Sequence, residues 1–197
     1  LRFDMFGPHT PNLNQLKLES TNFTRAYCNS PLCVPARGVF FTGHYPNTTG
    51  CRINPWDSNE RVYGEVKAGV ENLYQMMEDD WDSWQTGKQH FFTHENIHLS
   101  PDSKTKWLSL QPGYQSFLDQ HGVRKPGGEA FRAAMPEMTE GRYSRLKKYS
   151  IPTTGCYEEG QEFFFDEYIT QKSLQAIRER NKGKPFFLKK SFPQAIY

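Results

Sequence analysis

The sequence predicts an α/β fold in which a mostly parallel sheet is flanked by helices. Segments with helical and strand-like character alternate at both ends of the chain. The two clearest strand candidates, DSWQTG at 82–87 and PFFLKKSF at 185–192, each follow a helical segment. The 197 residues are 36% hydrophobic and 15% aromatic, enough apolar material for one sizeable core and too much for a disordered chain.

The elements follow in order. Thr10 is suited to cap a helix whose first residue is Pro11, with Leu13 and Leu16 one turn apart. Asn22 to Tyr27 reads as a strand. Pro35 suits a helix start and Gly43 its end, so a second helix is expected through Phe41, with Cys33 at its N-terminus. Val70, Leu73, Tyr74 and Met77 follow i, i+3, i+4, i+7 spacing and predict an amphipathic helix ahead of DSWQTG. Phe165 to Arg180 is helical in pattern, Asn181 to Lys184 is a turn, and PFFLKKSF reads as a buried strand. Residues 91–160 scatter Pro, Gly, Lys and aromatics without sustained periodicity. They are expected to form a loop-rich insertion on the sheet, because long stretches of that kind usually serve a binding site.

Charge excludes little. A formal net charge of +2 points to neither nucleic acid nor an anionic membrane surface. No apolar run approaches the roughly 18–20 residues of a membrane span. The opening LRFDMFG is neither a leader nor a methionine start, so the beginning of the natural protein is expected to be missing. Cys28, Cys33, Cys51 and Cys156 lack zinc-site spacing and are too few for a disulfide scaffold. His94 and His98 have the i, i+4 spacing of a metal pair but lie where no helix is predicted, so a surface or substrate-loop role is expected for them. Trp107, Tyr114, Phe117, Arg124, Lys125 and Arg132 could line a pocket, although clustered aromatics more often form core.

The stretch that carries chemistry is CNSPLCVPARGVFFTG, residues 28–43. A helix N-terminus offers unpaired N–H groups and partial positive charge, which suit an anion or the negative form of a nucleophile. Cys33 is placed for either role, and Arg37, one turn on, adds a permanently charged fork for oxygen anions. By spacing alone, a buried structural cysteine beside a solvated arginine is the commoner arrangement.

CVPARGVFFTGHYP, beginning at Cys33, resembles the signature of the type I sulfatases: Cys-x-Pro-Ser/Ala-Arg, a short apolar run, then Thr-Gly. LRFDMFG, TPNLNQL, TGKQHF and KPFFLKKSFP resemble further segments of that family, in family order. The resemblance implies an alkaline-phosphatase-like sandwich, of which residues 1–197 are an incomplete N-terminal portion of the catalytic domain, with 91–160 inserted and the C-terminal subdomain absent. It implies hydrolysis of sulfate monoesters by a formylglycine made from Cys33 by a formylglycine-generating enzyme; the long insertion, able to shape an extended site, points to a carbohydrate sulfate over a small aryl sulfate. Arg37 would hold the nucleophile. Lys88 would neutralise a sulfate oxygen, and His90, two residues on along an extended segment, would bond the nucleophile's hydroxyl. Lys88 and His90 are thus both catalytic and substrate-binding in expectation. The implied partners are a sulfated small molecule or saccharide, in a periplasmic, secreted or lysosomal setting, with no nucleic acid.

The chain departs from the family pattern in its metal ligands. The family binds Ca2+ (or Mg2+) through the formylglycine, here position 33, and through aspartates expected to lie outside this chain; Asp4 falls after the expected pair. Several oxygen ligands are what a hard cation requires, so the chain alone is expected to be inactive. Ala36, where many sulfatases have Ser, also occurs in phosphonate monoester hydrolases, which makes a phosphonate or phosphate monoester hydrolase the nearest alternative. The Gly-Lys-x-His of 87–90 resembles the sulfatase form. A non-catalytic sulfatase-like binding protein is the other alternative.

Overall fold

The structure is a computed structural model that describes residues 10–55, 57–109, 113–125, 132–139, 142–150 and 157–192. The expectations attached to LRFDMFG, Asp4, Cys156 and the residues after Phe192 lie outside these, as does the side chain of Arg132.

Three parallel strands form the frame, with β1 (Asp82–Gly87) between β2 (Lys106–Ser109) and β5 (Phe186–Ser191). The central strand is buried at all six positions, as expected of a parallel strand with neighbours on both edges and layers on both faces. Successive side chains alternate between those layers. Gln85 accepts from the Tyr74 hydroxyl at 3.0 Å, whereas Thr86 meets Ser173 Oγ at 2.8 Å. Ser173 lies on α6 (Phe165–Glu179), the helix that precedes β5. A second sheet pairs β3 (Arg132–Thr139) antiparallel with β4 (Arg142–Ser150).

The first layer is built by α2 (Cys33–Thr42), α3 (Pro46–Thr49) and α4 (Leu73–Met76). Its core joins Val34, Phe41, Cys51, Val66, Tyr74, Met77, Phe91 and Ile97. Phe41 stacks on Tyr74 with ring centroids 4.8 Å apart, and Trp107 lies 4.8 Å from Tyr74 on another side. On α6, Tyr168 and Ile169 pack with Tyr114 and Leu118 of α5 (Gly113–His121).

At its lower end β1 is tied by Asp82. Its carboxylate accepts from Lys106 Nζ at 2.8 Å and from the Asn181 amide at 2.7 Å, joining β2 and the turn before β5 to the central strand. Burial by itself would raise this carboxyl; the Lys106 ammonium and the Asn181 amide outweigh it and hold Asp82 below the usual carboxylate range.

Most of the predicted elements form. α1 spans Pro11–Glu19, α2 ends on the left-handed Gly43, and α6 and β5 fall where expected. Four expectations change. Asn22 to Tyr27 is not a strand: Phe23 and Tyr27 are exposed and nothing pairs with the segment among the described residues. The amphipathic helix shrinks to the single turn of α4, because Asn72 caps its start by accepting from the Tyr74 and Gln75 amides while β1 begins at Asp82. The predicted face is nonetheless the one that packs, since Tyr74 and Met77 are core and Val70 and Leu73 lie against it. β5 is half-buried rather than buried. Residues 91–160, expected to be rich in loops, contain β2, α5, β3 and β4, and β2 is an edge of the main sheet. No helix among the described residues is long and apolar enough to cross a membrane.

Candidate active site

The site is assembled where the N-terminus of α2 meets the C-terminal ends of β1 and β5, the edge at which open α/β sheets bind ligands. Cys33 is the first residue of α2 and is half-buried. Leu32, in the N-cap position, has no side-chain acceptor to offer, so the first-turn amides need outside partners. Asn54 supplies one, its Oδ1 accepting from the Val34 amide at 2.9 Å. Behind this turn Gly38 permits close approach to the core: a Cβ there would lie 3.2 Å from Cys51 Sγ and 3.3 Å from its Cβ. The Arg-Gly of the motif therefore has a packing reason.

Arg37 spans two elements. Its Nη1 donates to the Cys33 carbonyl at 3.0 Å and its Nη2 to Ser191 Oγ, at the end of β5, at 3.2 Å. From β1 comes Lys88. Its amide donates to the Ser191 carbonyl at 2.8 Å, continuing the parallel ladder one residue past the strand, and its Nζ points at Cys33 Sγ from 3.8 Å.

Gly87 makes that turn possible. Its φ is 78°, and a Cβ there would overlap the Ser191 carbonyl oxygen and stand 3.2 Å from Ile169 Cδ1.

His90 does not lie on an extended segment with Lys88, contrary to expectation. β1 ends at Gly87, and His90 has a φ of 44°, in the left-handed region that histidine seldom adopts. Its Nδ1 is buried and has no hydrogen-bond partner among the described residues. Burial, followed by the positive charges of Lys88, Arg37 and Lys189, pulls the imidazole down to about 4. The ring is therefore neutral at pH 7.

The structure thus brings Cys33, Arg37 and Lys88 together through direct contacts and sets His90 in the same positive field. It adds three residues that the sequence reading passed over. Asn54 and Ser191 fix α2 and Arg37. Lys189 donates from Nζ to the Lys88 carbonyl at 2.8 Å. A charged pair inside the apolar run FFLKKSF was the available signal for Lys189; nothing local marks the other two.

The remaining candidates lie elsewhere. His94 meets Glu65 at 3.1 Å, Trp107 belongs to the core, Tyr114 and Phe117 pack with Tyr168, and Arg124 pairs with Glu159 at 2.9 Å. Among the described residues no three His, Cys, Asp or Glu side chains gather to hold a metal ion. Among the described residues the charged group in contact with Cys33 is the cation Lys88, with Arg37 on its carbonyl, so these residues do not fit a calcium cage by themselves; position 33 is the ligand they would contribute. What they do fit is an anion at a helix N-terminus, next to a polarised nucleophile.

The family model described as Sulfatase matches residues 3–194. An ulvan-active sulfatase of Formosa agariphila is 47% identical over 110 residues, which is 52% of this chain and 19% of that protein. A choline-sulfatase of Rhizobium meliloti is 30% identical over 190 residues, 93% of this chain and 33% of that protein. An iduronate 2-sulfatase of Homo sapiens is 26% identical over 122 residues, 61% of this chain and 21% of that protein. The chain thus spans a third or less of the length of these relatives.

Proposed function

The chain belongs to the sulfatase family, and from that premise we propose that the protein hydrolyses sulfate monoesters with a nucleophile made at Cys33. The observation that carries this reading is the Lys88 ammonium 3.8 Å from Cys33 Sγ at the start of a helix. Once formed there by a formylglycine-generating enzyme, a hydrated formylglycine would supply two hydroxyls on one carbon: one to attack sulfur as the alcohol leaves with a proton, the other to give up its proton and re-form the aldehyde as sulfate departs. The aldehyde would also be this part of the chain's contribution to a bound Ca2+.

The residues of the chain do the rest. A sulfate monoester shields its sulfur with anionic oxygens, so attack needs fixed positive charge where negative charge accumulates. Lys88 supplies it beside position 33. Arg37, held by the Cys33 carbonyl and Ser191 Oγ, keeps the first turn of α2 and the end of β5 in fixed relation. His90, neutral and with Nδ1 unpartnered among the described residues, holds a hydroxyl at position 33 by a hydrogen bond and exchanges its proton.

The substrate class is a carbohydrate sulfate. The relatives named for ulvan and for iduronate support it, while the relative named for choline sets the comparison. The test is peptide mass spectrometry on protein co-expressed with the maturing enzyme, followed by sulfate release from sulfated saccharides, choline sulfate and an aryl sulfate. The expected result is a Cys33 peptide lighter by the change from thiol to aldehyde, with turnover of the saccharides. An unmodified thiol would remove the nucleophile assignment. Release from choline or aryl sulfate alone would remove the carbohydrate.

A further inference from the structure

We propose that Lys189 is a positioning residue of this site: from β5 it fixes the turn that carries Lys88, and thereby the cation that faces position 33. The inference rests on the reading of Cys33 and Lys88 above and adds a residue to it.

The register of β5 on β1 pairs Gln85 with Lys189 and Gly87 with Ser191. Lys189 and Ser191, two residues apart, share one face of β5. From that face β5 holds both cations of the site. The Ser191 carbonyl takes the Lys88 amide, Ser191 Oγ takes Arg37, and Lys189 Nζ donates to the Lys88 carbonyl. Lys88 is therefore pinned at its N–H and its C=O by one strand. The carbonyl lies beyond the ladder, and its other donor, Gln85 Nε2, stands at a weak 3.5 Å. Without Lys189 the peptide after Lys88 is nearly unheld, and Lys88 and His90 turn with it.

The choice of lysine is costly and therefore informative. Phe186, Phe187 and Leu188 are apolar, and the next position takes a half-buried cation beside two others. Burial, then Arg37 and Lys88, bring its ammonium down to about 7. A fold needing only a packed stem would place an apolar residue here. A third donor cation is useful where an anion is to be bound and the groups that meet it must not move.

The experiment uses the full-length protein produced without the maturing enzyme, so that position 33 remains a thiol. The rate of Cys33 alkylation by iodoacetamide is followed by peptide mass spectrometry, and the Kd of inorganic sulfate is measured by calorimetry, in the parent, Lys189→Met and Lys189→Arg. Met keeps the stem and removes the donor and the charge, so it should fold at least as well as the parent. The expected result is that Lys189→Met slows alkylation and weakens sulfate, each by about tenfold, the size of one charge-assisted hydrogen bond. Lys189→Arg should restore most of both. Unchanged or faster alkylation together with unchanged sulfate affinity in Lys189→Met would overturn the proposal; if that variant does not fold, Lys189→Gln, which keeps an uncharged donor, is judged by the same two readings. Neither measurement needs turnover, so a protein that never acquires formylglycine tests the sulfatase reading separately.

Discussion

Gly87→Ala tests how the site is held, because the glycine lies where the central strand hands over to Lys88. Two costs add. The methyl group must sit at a φ of 78°, which costs about 1–2 kcal/mol for a residue with a Cβ. It must also occupy space held by the Ser191 carbonyl oxygen, with the Ser191 carbonyl carbon at 3.1 Å and Ile169 Cδ1 at 3.2 Å. Backbone cannot swing aside as a side chain can, and this oxygen is the acceptor of the Lys88 amide at 2.8 Å. Overpacking of that kind costs about 1–3 kcal/mol. The sum is about 2–5 kcal/mol, or roughly 4–20 °C in Tm for a domain of this size. Urea and thermal unfolding of the purified protein measure it. Sulfate release should fall further than stability alone explains, since displacing Lys88 by about 1 Å can cost 100-fold. A Gly87→Ala protein melting within about 2 °C of the parent, with activity intact, would refute the claim that the end of β1 is set by contact with β5.

Other outcomes follow from the same geometry. Arg37→Lys keeps the charge but cannot reach both the Cys33 carbonyl and Ser191 Oγ, so kcat should drop about 10-fold to 100-fold at nearly unchanged Tm. His90 should show no ring protonation by NMR between pH 5 and 8, because its imidazole is held down to about 4. The sign for stability follows: the unfolded chain takes up this proton near pH 6.5 and the folded chain near 4, so stability is lost as pH falls across that window. His90→Gln should flatten the loss, and an unchanged pH profile would remove the assignment. Asp82→Ala should cost about 2–3 kcal/mol in urea unfolding by stranding the Asn181 amide and releasing Lys106, whereas a change under about 0.5 kcal/mol would show that β1 is not tied there.

The sequence by itself determined the elements whose signals are local. Pro35 lies in the first turn of α2 and Gly43 closes it, and periodic apolar residues mark α6 and the packed face of α4, since capping and amphipathicity act within a turn or two. The motif residues Cys33, Arg37, Lys88 and His90 stood out through the resemblance of their segments to the sulfatase signature, since spacing alone left a structural cysteine and a solvated arginine open. Tertiary structure decided what depends on distant partners. β2 is four residues without alternation and is a strand only because β1 lies beside it; Asn22 to Tyr27 has strand-like residues and finds no such neighbour among the described ones. The same holds at the site. Ser191 and Lys189 are about 100 residues or more from the cations they hold, His90 takes a left-handed turn that no local pattern demands, and its neutrality comes from burial among charges brought by α2, the end of β1 and β5. Local chemistry names the groups, but their pKa values and separations are sums over neighbours that only the folded chain assembles.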